Sequence, residues 1–381
     1  MALYLNDEQQ MLADTARPFL ADAAPPSHVR QLRDSKDATG FSRGLWKQFA
    51  EMGFTGILVD EADGGLGLGH VEAGIVLEEM GRNLSPSPFL ATAVGAVGAL
   101  AEASGEARGR WLPGILAGET VAALAIEEGA RHRPGRVGLT ATPSGNGFRL
   151  SGKKGFVVHG HVADLLIVSA RTAGGADDEH GITLFAVPGK SAGLVAHAER
   201  LADASIAARL EFDGVEVDGS ALIGTLDGGM ASLNRVLGGV RAGAAAEMLG
   251  VASGATDLTL TYLKDRKQFG QQIGSFQALQ HRAAHLYCEL EVARAAVLKA
   301  QQLLDAGPDK AARAEAAASV AKGMVGLTSA LAVQEGVQMH GGIGMTDAYD
   351  IGLYMKRQRV LAELFGDSDY HADKLARMAG Y

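Results

Sequence analysis

The sequence predicts a multidomain chain: an N-terminal helical domain (1–118), a central antiparallel β-barrel or sandwich (119–226) and a C-terminal four-helix bundle (227–381). Three observations predict it. Apolar residues recur at helical spacing up to about residue 118. Short β-branched runs separated by Gly, Pro and Asp follow. The helical period then returns in long Ala-rich segments of the kind that pack closely in bundles. At 381 residues the chain exceeds what one hydrophobic core usually supports.

In the first region Asn6 and Asp7 read as caps before a helix with Leu12, Ala16, Phe19 and Leu20 on one face. "SRGLWKQFAEMGF" and "HVEAGIVLEEMGRNL" read as helices, and "DEADGGLGLG" (60–69) as a loop between them. In the second region "GFRLSGKKGFVVHG", "ADLLIVSAR", "GITLFAVPG" and "RLEFDGVEV" read as strands, with a hairpin loop at 171–181. In the third, one helix of some 35 residues is expected before the segment "QFGQQIG", and two more long helices after it.

Composition limits the function classes. A net charge of −9 argues against non-specific nucleic-acid binding. The start lacks a basic segment followed by an apolar one, so no secretory signal is expected. No run reaches about 18 unbroken apolar residues, so no membrane span is expected. The nearest, "FLATAVGAVGAL" (89–100), is too short. The single cysteine, Cys288, permits neither an intrachain disulfide nor a cysteine-based metal cluster. The expected location is cytoplasmic. The histidines show no metal spacing, and "GGLGLG" (64–69) follows no βαβ unit, which excludes a Rossmann reading.

Two motifs carry chemistry: "YLKDRKQFGQQIGSFQALQH" (262–281) and "QMHGGIGM" (338–345). A dinucleotide's pyrophosphate wants an arginine and close backbone N–H groups. Arg266 supplies the first, and Gly341 and Gly342 present no side chain against phosphates. Phe269 offers a surface for adenine, and Gln277 and Gln338 offer amides. Together with "LWKQFAEMGFTGILVDEADGGLGLG" near the start, these motifs resemble the acyl-CoA dehydrogenase family over essentially the whole chain. The resemblance implies FAD bound across a subunit interface. Gln268, Ile273 and Asp367 then join the cofactor contacts, and the assembly is a dimer of dimers, homo- or hetero-oligomeric.

The β region resembles the family's strand pair over the flavin ring, with departures. Phe156 and Val158 stand where the family usually has Trp and Ser or Thr; Phe156 can pack on the ring, but Val158 brings no hydroxyl. The usual Glu-Pro-x-x-Gly-Ser-Asp loop is replaced by "EEGARHRPGRVG" (127–138). Its Arg131, His132, Arg133 and Arg136 read as a solvated basic loop, with contacts to CoA phosphates as the alternative.

The reaction the resemblance implies is α,β-desaturation of an acyl-CoA thioester. A carboxylate takes the α-proton, the flavin takes a hydride, and donors hold the thioester oxygen. Counted without a gap from Gly342, the family's glutamate position is Phe365, followed by Gly366. The backbone N–H of Phe365 can still donate, but its side chain is no base, so this is an atypical, bacterial-type member. A minority of the family carries the base just before an arginine on the preceding long helix. Here that pair is Val240 and Arg241, placed at the substrate, and Val240 is no base either. Glu247 lies seven residues on, on the same helix face about 10 Å further along. Gly243, Ala244, Gly250 and Val251 beside it suggest room for a bulky acyl group. An ion-paired Glu247 among closely packed helices is the competing reading.

The expected function is therefore FAD-dependent dehydrogenation of a bulky or branched acyl-CoA, extending to steroid side chains, with electrons passed to an electron-transfer flavoprotein. Two alternatives stand beside it: a half-site subunit of a heteromeric dehydrogenase, and a flavin monooxygenase on the same fold.

Overall fold

The computed structural model describes residues 3–381; Met1 and Ala2, at the head of the expected N-terminal domain, lie outside the described residues. The expected order of helical region, β region and helical bundle is present. The chain forms two compact units. One spans Met1–Gln31, His70–Pro86 and Arg241–Tyr381, the other Leu32–Gly69 and Ser87–Val240.

Helix α1 (Asp7–Ala23) starts with the predicted cap, a reciprocal box. Asn6 Oδ1 accepts from the Gln9 N–H at 2.8 Å, and the Gln9 side chain accepts from the Asn6 N–H at 3.0 Å. Helix α2 (Pro26–Asp34) follows, then α3 (Arg43–Glu51), capped by Ser42, and α4 (His70–Asn83). Between α3 and α4 the predicted loop holds one 3-10 turn, Glu61–Asp63. The apolar run at 89–100 becomes a π-helical segment, Leu90–Ala96, continuing into α5 (Val97–Leu100). Almost all of it is buried, which accounts for its hydropathy without a membrane. Helix α6 spans Gly105–Leu116.

The strands are β1 (Ala122–Ala125), β2 (Thr140–Ser144), β3 (Gly147–Val158), β4 (Leu165–Arg171), β5 (Ile182–Pro188), β6 (Leu194–Arg200), β7 (Ile206–Asp218) and β8 (Leu222–Ile223). They form one eight-stranded sheet in the order β6-β7-β3-β2-β4-β5-β8, with β1 on β4. The four predicted strands are β3, β4, β5 and β7, and the predicted hairpin joins β4 to β5. The antiparallel expectation needs correction: β1 pairs with β4 in parallel, and β2 meets β4 in parallel at Thr140 and Arg171. No barrel closes, and a single core gathers side chains from β1 to β5 and β7.

Helix α7 (Gly229–Asp265) has 37 residues. The short hairpin β9 (Lys267–Gln268) and β10 (Gln271–Gln272) leads into α8 (Gln277–Leu304), α9 (Ala311–His340), α10 (Ile351–Glu363) and α11 (Ser368–Met378). Helix α9 packs against α8, α10 and α11. The stretch Pro308–Met345 is long and apolar enough to cross a membrane by length and composition, although polar and charged residues interrupt it and no unbroken apolar run forms. Much of α9 is buried against its neighbours, the pattern of a core helix.

Helices α4 and α7 touch backbone to backbone. A Cβ on Gly81 would overlap the Glu247 carbonyl, and one on Gly250 would overlap the Glu78 carbonyl. Gly250 is therefore small to admit α4, not to leave room for an acyl chain. Gly250→Ala is expected to lower stability by about 1–3 kcal/mol through overpacking, read as a lower urea midpoint.

Candidate active site

The two nucleotide-type motifs meet in space. Leu263 of α7, Ile273 after the hairpin and Met339 of α9 form one apolar cluster with Tyr262, Phe276 and Leu279. Tyr262 stacks on His340 with ring centroids 4.5 Å apart. This packing brings the hairpin bearing Arg266, Gln268 and Phe269 beside the end of α9. Ile273 lies inside the cluster, so it supports the hairpin from within rather than facing a ligand with its side chain.

Around the cluster, Arg266, Gln268, Gln277, Gln338, Gly341 and Gly342 are exposed. Among the described residues Arg266 has no carboxylate partner. A Cβ on Gly341 or Gly342 would meet nothing within 4 Å, and Gly341 has φ +65°. Phe269 has φ +53° and is 91% exposed. An unpaired guanidinium, open glycines and a bare aromatic ring match the demands of a dinucleotide. His340 Nδ1 lies 2.6 Å from the Gly336 carbonyl, and burial pushes its pKa down. Its Nε2 is buried without a hydrogen bond.

In the other unit, β3 carries a bulge between Lys154 and Val157 against β7. Phe156 lies in it at φ +50°, and both Phe156 and Val158 are half-buried. Such bulges re-aim side chains and concentrate beside active sites. The replaced loop folds onto its own two carboxylates. Glu127 pairs with His132, and Glu128 accepts from the N–H groups of Gly138 at 2.7 Å and Leu139 at 3.0 Å. Lys154 Nζ, fully buried, donates to Glu128 at 2.7 Å and to Ser169 Oγ at 3.0 Å. Burial opposes charge on Glu128, but the Lys154 ammonium and the two N–H groups outweigh it and hold the carboxyl below its usual range. His132 is thus engaged within the loop, and Arg136 reaches Asp177 at 3.3 Å. Arg131 and Arg133 remain exposed.

The stretch 361–371 is a turn between two helices. Helix α10 ends at Glu363, whose side chain turns outward to Arg359 at 2.9 Å. Phe365 has φ +59° and Gly366 φ +105°. A Cβ on Gly366 would run into the Tyr370 ring and come 3.1 Å from His371 Nε2, so glycine is required there. Asp367 caps α11 by accepting the Tyr370 N–H at 2.7 Å.

Two buried cations hold this turn by its carbonyls. Arg241 Nε donates to the Phe365 carbonyl at 3.2 Å, and Arg241 Nη2 donates to the Tyr370 hydroxyl at 3.1 Å. Lys322 Nζ donates to the carbonyls of Ala362 at 3.1 Å and Gly366 at 3.0 Å. The Phe365–Gly366 peptide is trans, so the Gly366 N–H points opposite the carbonyl that Arg241 holds. Leu364 and Phe365 form a type II turn that directs the Gly366 N–H back toward the Glu363 carbonyl, whereas the Phe365 N–H has no acceptor among the described residues. One amide, that of Phe365, is therefore available to a ligand oxygen. Arg241 shapes this site from behind, through the Phe365 carbonyl.

Val240 is fully buried, and a Cβ on Gly95 would lie 3.1 Å from its Cγ1. Its side chain fills the core rather than facing a substrate. Glu247 is 2% exposed. Its Oε1 accepts from Arg357 Nε at 2.9 Å and also from Arg357 Nη2. The carboxylate is fixed and ion-paired. Sequence reasoning missed Arg357, Tyr370 and Lys322. For Lys322 a signal existed: a lone lysine within the small apolar run "AAASVAKGMVG".

Comparison with known proteins agrees with this geometry. The acyl-CoA dehydrogenase N-terminal domain matches residues 6–119, and the acyl-CoA dehydrogenase C-terminal domain matches residues 227–380. Acyl-CoA dehydrogenase IpdE2 of Mycobacterium tuberculosis is 32% identical, covering 94% of this chain and 93% of its own. A solved structure of the Tcur3481–Tcur3483 steroid ACAD, as a variant, superposes with a TM-score of 0.87 at 32% identity, covering 98% of each chain. A chain solved in work on the electron transferring flavoprotein of Acidaminococcus fermentans and flavin-based electron bifurcation has a TM-score of 0.87 at 27% identity, covering all of both chains. The chain belongs to the acyl-CoA dehydrogenase family and is an oxidoreductase of that class.

Proposed function

We propose that this chain binds FAD and dehydrogenates a bulky or branched acyl-CoA between its α and β carbons, steroid side-chain thioesters included. The observation that carries this reading is the free amide of Phe365, in a turn whose carbonyls are held by Arg241 and Lys322. A donor so fixed suits a thioester oxygen on which negative charge develops. FAD, when bound, accepts the hydride leaving the β carbon. Arg266 meets its pyrophosphate, Gly341 and Gly342 give the phosphates close approach, and Phe269, Gln277 and Gln338 meet the rest of the nucleotide.

Glu247 takes the α-proton. Arg357 orients that carboxylate through its contacts to Oε1. In balance, the α C–H bond gives up its proton to Glu247, and the hydride of the β C–H bond would be taken by the flavin that Arg266, Gly341 and Gly342 would hold. The two electrons then pass to an electron-transfer flavoprotein, as the third relative described above suggests. The steroid preference draws on the second. A cytoplasmic oligomer, a dimer of dimers, is the assembly proposed.

A second reading has its own support. Phe365 offers no base, and Glu247 is already engaged by Arg357, as in a structural ion pair. The chain would then be one component of a two-chain enzyme. The test is to purify the chain alone, record its flavin spectrum, and offer saturated straight, branched and steroid acyl-CoAs with an artificial electron acceptor. Bound flavin and turnover on the bulky thioesters are expected. Empty protein that gains flavin and turnover only with a second, different chain selects the other reading.

A further inference from the structure

Lys322 is more than a cap for α10. It is 1% exposed, lies in the middle of α9, and has no carboxylate within ion-pairing distance among the described residues. The charged groups nearest it are Arg241 of α7, Glu363 at the end of α10 and Asp367 ahead of α11. Both acids are exposed, and each has a task of its own: Glu363 pairs with Arg359, and Asp367 caps α11. His371 of α11 packs over the adjacent Gly323. A buried ammonium thus sits against the carbonyls of a turn whose Phe365 amide is free, and position 365 brings no carboxylate to neutralise it.

We propose that the positive charge of Lys322, which no carboxylate contacts directly, stabilises the anionic, enolate form of the thioester held at the Phe365 amide, and so makes its α-proton more acidic. The α C–H bond breaks, its electron pair moves onto the thioester oxygen, and the proton leaves to a base. In a water-poor interior a unit charge a few ångströms behind the donor is screened far less than in solvent. With phenylalanine in place of a carboxylate, only the exposed Glu363 and Asp367 offset that field, and solvent screens both. Burial first, and Arg241 second, lower the Lys322 pKa to about 7, so the charge is lost as pH rises above neutrality. Lys322 acts through the turn without touching substrate, which makes it a positioning and field-setting residue. The inference rests on the acyl-CoA reading above.

The test uses the FAD-loaded chain and acetoacetyl-CoA, whose C2 proton passes to buffer as its absorbing enolate forms. Wild-type protein is expected to bind the enolate preferentially and so depress the ligand's pKa. Lys322→Met removes the charge and both hydrogen bonds; Lys322→Gln retains amide donors and removes only the charge. Both variants are expected to weaken enolate preference by roughly ten- to a hundredfold, with flavin content unchanged. Full retention in both overturns the inference. Loss in Met with retention in Gln also overturns it, because the role is then to hold the turn. If neither variant folds, wild-type protein decides: enolate preference must fall between pH 6 and 9, and a flat profile refutes the charge. If wild-type protein does not bind acetoacetyl-CoA at all, the acyl-CoA reading itself fails.

A stability signature accompanies this. The folded pKa of Lys322 lies below its unfolded value of 10.5, so the unfolded chain binds more protons between the two. The Lys322 contribution to stability is therefore lowest below about pH 7 and rises toward 10.5. Lys322→Met removes that rise. If the lysine were only structural, the methionine variant would be the less stable protein at every pH.

Discussion

Glu247→Gln lowers turnover by roughly a thousandfold or more, within the range a lost general base accounts for, while the protein keeps its flavin. Glutamine can still accept from Arg357, so the fold survives; losing the charge from a pair that is 3% exposed on the carboxylate side and 21% on the guanidinium side costs about 3–5 kcal/mol. Steady-state kinetics and a urea titration on the same preparation separate the two effects. Turnover close to wild type in a stable Glu247→Gln protein would assign Glu247 to structure alone. The base would then have to come from another chain.

Gly366→Ala is expected to be the more damaging change to the pocket itself. At φ +105° an alanine is strained by about 1–3 kcal/mol, and its Cβ would overlap the Tyr370 ring. The turn can relieve that overlap only by rotating the Phe365–Gly366 peptide. Rotation breaks the Arg241 bond to the Phe365 carbonyl and opens the turn that presents the Phe365 N–H. Turnover should fall at least a hundredfold and the melting temperature should drop. Flavin content should hold, because Arg266, Gln338 and Gly341 are packed by a different cluster. A variant that binds acyl-CoA and turns over as wild type does would mean that the turn does not hold the thioester.

How much of this was legible in the sequence depends on what kind of contact fixed each feature. The helices were readable because their periods and caps are local: the Asn6–Gln9 box and the Ser42 cap involve residues three apart. Strands β3, β4, β5 and β7 were readable from their branched side chains. Strand β1 was not. Its sequence "AALA" has no strand signal, and it is a strand only because β4 accepts it in parallel over Leu165–Val168. The nucleotide cluster was readable because its residues lie in two compact motifs, although the inward packing of Ile273 was not. The turn was half readable. The missing carboxylate at Phe365 is visible in the sequence, whereas the cations behind it come from α7 and α9 and meet it only by folding. The same holds for Glu247: its helix face was predicted, but the partner, Arg357, is 110 residues away. Gly250 marks the limit of composition as evidence, since a small residue looks the same whether it makes room for a ligand or for another helix.

The central claim, that this chain by itself desaturates a bulky acyl-CoA, meets its most direct test in a single turnover without oxygen. The purified chain, loaded with FAD, is mixed anaerobically with a saturated branched or steroid side-chain acyl-CoA while the visible flavin absorbance is followed. The account predicts bleaching in the wild-type chain, formation of the α,β-unsaturated thioester in equal amount, and an unbleached flavin in Glu247→Gln. A wild-type flavin that stays oxidised with every bulky thioester, and bleaches only after a second, different chain is added, would contradict it.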